Sequence, residues 1–227
     1  MAIGNSVNDE IREQHKYMKD KPFKEKFEYY AGYYWKHVLI IAAVVIFVTN
    51  FLYTVITAKD EVLCVLFVNT FVNEDIDLAA YTQEFADIAG IDTEECQISL
   101  QTDIWINYDN DTIDEISSAN LQKLLVMNSA GAIDAMVIDD SYLEENGPKG
   151  VLGDLRDFLP ADILEKYEDR LIYVDVLEDD KGEYPAAIDV SDAKLMAYDD
   201  LSAYFCCVQT VPHQENMIKF LEYFMEN

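Results

Sequence analysis

The apolar positions of this chain fall into two regimes. From Val38 to Thr57, 20 residues run without a charge, a proline or a glycine. At about 1.5 Å per residue they make a helix about 30 Å long, the hydrocarbon thickness of a bilayer. The polar breaks are Thr49, Asn50, Thr54 and Thr57, near one end, and a helical threonine can return its hydroxyl to an earlier carbonyl. Tyr29, Tyr30, Tyr33, Tyr34 and Trp35 form an aromatic belt at the start, with Phe51 and Tyr53 near the other end, as expected where a helix crosses the two interfaces. Upstream, Phe23, Phe27, Tyr30 and Tyr34 keep helical spacing. That pattern predicts either an interfacial helix running into the span or a plain membrane-proximal extension.

Beyond the span, helix and strand periods alternate. "VLCVLFV" (62–68) is a continuous apolar run of strand length, the mark of a strand covered on both faces. Leu78, Tyr81, Phe85, Ile88 and Ala89 keep helical spacing up to Gly90, a natural stop. "CQISLQT" (96–102) alternates as a strand, "ISSANLQKLLVMNSAG" reads as a helix through Leu121, Leu124 and Leu125, and "IDAMVID" (133–139) is a third apolar strand. This is βαβαβ, which predicts an α/β domain with a mainly parallel sheet. "NGPKG" (146–150) is a turn, "LGDLRDFLPADILEKYED" a pair of short helices broken at Pro160, and "LIYVDV" a strand. "EDDKGE" (178–183) turns back into "YPAAIDV" (184–190), "SAYFCCVQTV" (202–211) makes another buried strand, and "HQENMIKFLEYFMEN" an amphipathic C-terminal helix. Three segments follow: a cytoplasmic and interfacial piece 1–37, a transmembrane helix 38–57, and an extracytoplasmic domain 58–227.

Charge supplies the orientation. Of 16 basic and 44 acidic residues, 7 and 6 precede the apolar run, so 9 and 38 follow it, a net of −29. A domain so acidic repels nucleic acid and anionic polymers, which excludes both as partners. Lys19, Lys21, Lys24, Lys26 and Lys36 lie just before the run and only Lys59 just after. The positive-inside rule then puts the N-terminus in the cytoplasm and the acidic domain outside the plasma membrane. A cleaved signal has a shorter apolar core and a small-x-small site. Here the exit reads Ile56-Thr57-Ala58, and "EVLC", ending at Cys64, is no lipobox, so the run reads as a retained, single-pass signal-anchor.

The order strand–helix–strand–helix–"AGAIDAMVIDDSYLEENG…GVLGDLRDFLPADILEKYED" resembles one lobe of the extracytoplasmic solute-binding proteins that serve ABC importers. In them a G-x-x-D-hydrophobic third strand precedes an acidic or polar tip, an L-x-D-L segment and a short helix pair. The ending "VQTVPHQENMIKFLEYFM" is similar to that family's late strand and the helix that packs back on the first lobe. The resemblance covers residues 61–227. The "YYWKHV" stretch also resembles the opening of the span in uncharacterised single-pass membrane proteins of Gram-positive bacteria. One departure stands out. Between "YPAAIDV" and "SAYFCCV" the importer proteins insert a whole second lobe, where here only residues 191–201 fill the gap. Two lobes closing on a solute bury it; a single lobe has no clamshell, which argues against a buried small-molecule site.

Catalytic chemistry finds little to build on. His15 and His37 precede the span, and His213, after Pro212 at a helix start, reads as a solvated histidine. "SDAK" (191–194) has the S-x-x-K spacing of penicillin-recognising enzymes without the K-T-G or S-D-N that accompany it. "DNDTIDE" (109–115) fails as a calcium loop, since Ile113, Asp114 and Asn120 stand at positions 5, 6 and 12. A solvated loop before a helix start explains its acids. Cys64, Cys96, Cys206 and Cys207 all follow the span, an even count that permits disulfides in three pairings. Cys64, Cys206 and Cys207 sit in apolar strand runs and adjacent Cys206 and Cys207 face opposite sides of the sheet, which favours free thiols. No metal site and no cofactor is expected.

A binding site in an open parallel sheet lies at the carboxyl ends of its strands. Those ends carry Asn69 and Thr70 after the first strand and Asp139 and Asp140 after the third, with Trp105 as the neighbouring aromatic; the same residue types also serve as ordinary caps and turns. The resulting expectation is a membrane-anchored, non-catalytic recognition domain for a membrane or cell-surface protein or an exposed ligand. The alternative is a component that binds a small solute for an ABC-type transporter.

Overall fold

A computed structural model of the chain describes residues 12–13, 16–17, 19, 21–108, 114–176, 182–198 and 201–227. Residues 109–113 of the acidic stretch that fails as a calcium loop, and residues 178–181 of the expected loop 178–183, lie outside the described residues. The chain divides into two units, residues 1–58 and Lys59–Asn227.

The first unit contains a long helix, α1 (Phe23–Ile56), which follows Pro22, a residue whose fixed φ suits a helix start. The residues upstream of Val38 from Phe23 on and the apolar run itself form one continuous helix. Its stretch Tyr34–Ile56, with mean hydropathy 2.5, is long and apolar enough to cross a membrane. The polar side chains near its end are satisfied inside the helix. Thr54 and Thr57 donate to Asn50 O (3.0 Å) and Tyr53 O (2.7 Å), and Asn50 Nδ2 donates to Ile46 O (2.9 Å).

The second unit is an α/β domain around a six-stranded open sheet. Its elements are β1 (Asp60–Val68), α2 (Leu78–Ala89), β2 (Cys96–Ile104), α3 (Glu115–Ser129), β3 (Ala135–Ile138), α4 (Asp140–Asn146), α5 (Leu155–Phe158), α6 (Ala161–Lys166), β4 (Leu171–Val174), β5 (Tyr184–Asp189), β6 (Tyr204–Cys206) and α7 (Gln214–Glu226). The strand order is β2-β1-β3-β6-β5-β4. β1 pairs in parallel with β2 and β3, whereas β3–β6, β6–β5 and β5–β4 are antiparallel.

The sheet is therefore mixed, and the expectation of a mainly parallel sheet holds only for its first half. The reason is in the connections. A strand returns parallel when a helix carries the chain back across the sheet, as α2 and α3 do. Between β5 and β6 the described residues form no regular helix, and β6 runs antiparallel to β5. The strand expected over 202–211 shrinks to Tyr204–Cys206.

β1 shows why the sheet is central. Leu63, Val65 and Phe67 enter one core and Cys64, Leu66 and Val68 the other, the two-residue alternation of a strand covered on both faces. Cys207 and Cys206 divide the same way. The first core takes Tyr81 and Phe85 of α2, Leu155 of α5, Ile163 of α6 and Phe220 and Phe224 of α7. There Phe85 meets Phe220 edge-to-face at 5.3 Å, and each such side chain contributes about 1.5–3 kcal/mol by leaving water. The second core takes Leu124 of α3 and Tyr142 and Leu143 of α4.

Two residues expected on buried helix faces are exposed, Ile88 at 65% and Leu125 at 67%. In α2 the buried stripe is centred between Phe85 and Ala86, and in α3 it runs through Ser117, Leu121 and Leu124. At about 100° per residue, Ile88 and Leu125 fall on the stripe edges.

Candidate functional site

The carboxyl ends of β1, β2 and β3 converge on one end of the sheet. Asn69 leaves β1 with φ 55°, the one non-glycine residue in the left-handed region among those described, a conformation that asparagine tolerates better than most residues. Its side chain replaces the next ladder bonds. Nδ2 donates to Ile106 O at 2.8 Å and Oδ1 accepts from Ile106 N–H at 2.7 Å, tying β1 to the chain leaving β2. The same Nδ2 lies 3.4 Å from Asp139 Oδ1 and 3.3 Å from Ser141 Oγ, which reaches the end of β3.

Asp139 caps α4, accepting from Tyr142 N–H at 2.9 Å and from Ser141 Oγ at 2.6 Å. Asp140 accepts from Tyr204 Oη at 2.7 Å; burial first, and then this carboxylate, raise the Tyr204 pKa. Asp114 caps α3, and hydrogen bonds from Ser117 hold its carboxyl below the usual carboxylate range. Ser117 Oγ in turn accepts from Asn107 N–H at 2.9 Å, and Asn120 Nδ2 donates to Trp105 O at 2.8 Å. The start of α3 thus fixes the segment that carries Trp105.

Two clefts open on this end, of about 490 Å³ and about 280 Å³, and Asn69, Phe71, Asp139 and Ser141 line both. Trp105 and Asp114 belong to the larger cleft; Thr70, Asp140 and Tyr198 belong to the smaller. All five residues named from sequence as strand-end candidates, Asn69, Thr70, Trp105, Asp139 and Asp140, therefore lie on one continuous surface.

Of the aromatic rim around them, the sequence marked Trp105 but not Phe71 or Tyr198. Phe71 packs against Trp105 at 4.8 Å and against Tyr198 at 5.8 Å, yet the three are 46%, 40% and 54% exposed. Phe71 and Tyr198 are brought together by the connection between β5 and β6. Ala197 N–H donates to Phe71 O at 2.9 Å, Asn73 N–H to Leu195 O at 2.8 Å, and Val72 bridges Met196. Phe71 could have been read as the next residue after the first strand's tip; nothing in sequence places Tyr198 beside it.

His213 is not simply solvated. Its Nδ1 lies 3.0 Å from Asp134 Oδ2 and its N–H donates to Asp134 Oδ1 at 2.6 Å. Asp134 is fully buried and also accepts from Cys64 N–H at 2.8 Å. A carboxylate inside the core needs such donors, and the charge inside the apolar run "IDAMVID" was its sequence signal. The pair ties the start of α7 to β1 and β3. The thiols around it are not activated: burial pushes Cys64 up to about 12 and raises Cys207 as well, the opposite of a catalytic thiolate.

A further depression of about 590 Å³, lined by Lys59, Thr82, Gln83 and Cys96, lies at the amino ends of β1 and β2 and carries no aromatic ring. Among the described residues, no three His, Cys, Asp or Glu side chains gather as a metal site. No protein-family model, curated protein or solved structure matches the chain.

Proposed function

We propose that residues 59–227 are a non-catalytic recognition domain, held outside the plasma membrane by α1 with the N-terminus in the cytoplasm, and that they bind a protein partner at the carboxyl ends of β1–β3. The observation that carries this reading is the rim of Phe71, Trp105 and Tyr198. Phe71 touches both Trp105 and Tyr198, and all three rings still face solvent beside an open cleft; exposed aromatic clusters framed by polar groups mark binding surfaces. Five lysines in the 20 residues before Val38 against one in the 20 after Thr57 support the orientation.

The second reading, a solute-binding component of an ABC-type transporter, draws on the larger cleft. Its volume of about 490 Å³ falls among small-molecule sites. Its openness, with no second lobe to close it, favours the protein partner.

A photo-crosslinking amino acid placed at Tyr198 tests the first reading in intact cells, with Glu94 at the opposite end of the sheet as control. The expected result is a discrete protein adduct from position 198 and none from 94. Adducts from 94 alone, or equal smears from both, would overturn the reading.

A further inference from the structure

The chemistry of the cleft narrows what it takes. Asp114 lines the larger opening, Asp140 the smaller and Asp139 both, and no Lys, Arg or His lines either among the described residues. Each of the three carboxylates accepts hydrogen bonds, but from neutral donors: Ser117, then Tyr142 with Ser141, then Tyr204. None of them is in an ion pair among the described residues. Elsewhere the domain does pair its acids, with Arg170 on Asp192 and Lys166 between Glu222 and Glu226. A carboxylate has about four acceptor positions, so these three keep both charge and lone pairs for something else.

Beside them stand the exposed faces of Phe71, Trp105 and Tyr198, whose ring quadrupoles attract cations. Thr70 adds an independent sign. It is only 5% exposed, it lines the smaller cleft, and its hydroxyl has no hydrogen-bond partner among the described residues. Such a group is unusual in a folded protein, and a hydroxyl oxygen can accept a bond from a ligand donor.

We infer that this cleft takes an organic cation: the ammonium or guanidinium of a basic side chain on the partner polypeptide. The inference rests on the recognition reading above and gives it a chemistry. The excess of 38 acidic over 9 basic residues after the apolar run steers such a partner in and turns acidic competitors away.

The test uses the full chain in detergent micelles, titrated with tri-lysine amide, tri-arginine amide, tri-glutamine amide and tri-glutamate, with cadaverine as the free amine. Binding is read by Trp105 emission in a Trp35→Phe background and by calorimetry. The basic tripeptides should saturate, weaken at high salt, and outbind tri-glutamine by about tenfold or more. Asp140→Asn keeps side-chain shape and Phe71→Leu keeps an apolar group; each should weaken the basic peptides by about three- to tenfold. Cadaverine binding as tightly as tri-lysine would overturn the polypeptide as the source. Tri-glutamine or tri-glutamate binding equally well, with loss in Phe71→Leu, would sink the cation while leaving recognition at the cleft standing. Variants that bind the basic peptides unchanged, together with crosslinks away from Tyr198, would remove both.

Discussion

Asn69 is expected to hold the site together, and its replacement can be worked through. In Asn69→Ala the Ile106 N–H and C=O lose their partners at 2.7 and 2.8 Å, in a residue only 4% exposed. A stranded buried donor costs about 1–3 kcal/mol, and alanine at φ 55° adds about 1 kcal/mol over asparagine. The sum is about 3 kcal/mol. For a unit of this size each kcal/mol moves the midpoint by about 2–4 °C, so thermal unfolding of the intact chain in detergent, followed by near-ultraviolet circular dichroism, should fall by about 10 °C. Asn69→Gly loses the same bonds without the backbone penalty and should lie about 1 kcal/mol above the alanine variant. Asn69→Asp keeps the acceptor for Ile106 but sets a second carboxylate about where Nδ2 now lies, 3.4 Å from Asp139, and should recover stability on mild acidification as one carboxylate takes a proton. An alanine variant within about 0.5 kcal/mol of the parent, the usual range for an inconsequential surface change, would refute the bridging role.

Three further outcomes follow from the core. Asp134→Ala strands the buried Cys64 N–H and the His213 donors and should cost about 3 kcal/mol or more, with hydrogen exchange at the Cys64 and His213 amides rising above that of Val65; unchanged exchange would contradict the assignment. Iodoacetamide at pH 8 should label only Cys96 in the folded chain and all four cysteines in urea, because Cys64, Cys206 and Cys207 are buried and their thiols are raised by that burial; early labelling of a second cysteine would count against it. Alkali should unfold the domain, since burial pushes Cys64 from 9.0 and Tyr223 from 10.0 up to about 12 each. The neutral forms are favoured in the folded state, so this stability is complete below about pH 9 and is lost as pH rises towards 12. A flat stability curve between pH 9 and 12 would be the opposing result.

What the sequence disclosed follows from range. Local signals carried well: the apolar run of β1, the Gly90 stop, whose φ is 74°, the break at Pro160 and the opposite facing of Cys206 and Cys207 are all decided within a few residues. The turn back from β4 into β5 was legible at 178–183, but the antiparallel place of β6 between β3 and β5 was not, because strand direction depends on what the chain does between strands, and residues 190–203 carry no helical period to show either outcome. Burial of Ile88 and Leu125 failed for a related reason. Spacing identifies an apolar stripe but not which of its edges the neighbouring elements cover. At the site, Asn69, Thr70, Asp139 and Asp140 were nameable because strand tips are adjacent in sequence to strands. Tyr198 was not, since it reaches Phe71 only through the bridge of Val72 to Met196.

That bridge explains why the cleft has the form it does. A sheet that stayed parallel past β3 would cover its next strand end with another helix start. Here β6 runs the other way, so Tyr204 enters the sheet beside Ile138, and the chain before it passes the strand ends. The stretch 193–198 does so by bonding to Phe71 and Asn73, which lays Tyr198 against Phe71 and leaves Trp105 on Phe71's other flank. Tyr204, at the start of β6, then reaches Asp140 with its hydroxyl. The strand reversal that defeats the parallel expectation thus assembles both the aromatic rim and one of the acidic contacts. Lengthening the connection after Tyr198 with two glycines should therefore loosen Tyr198 and weaken peptide binding while leaving the β1–β2–β3 core folded; loss of the whole fold would show that the connection serves the core instead.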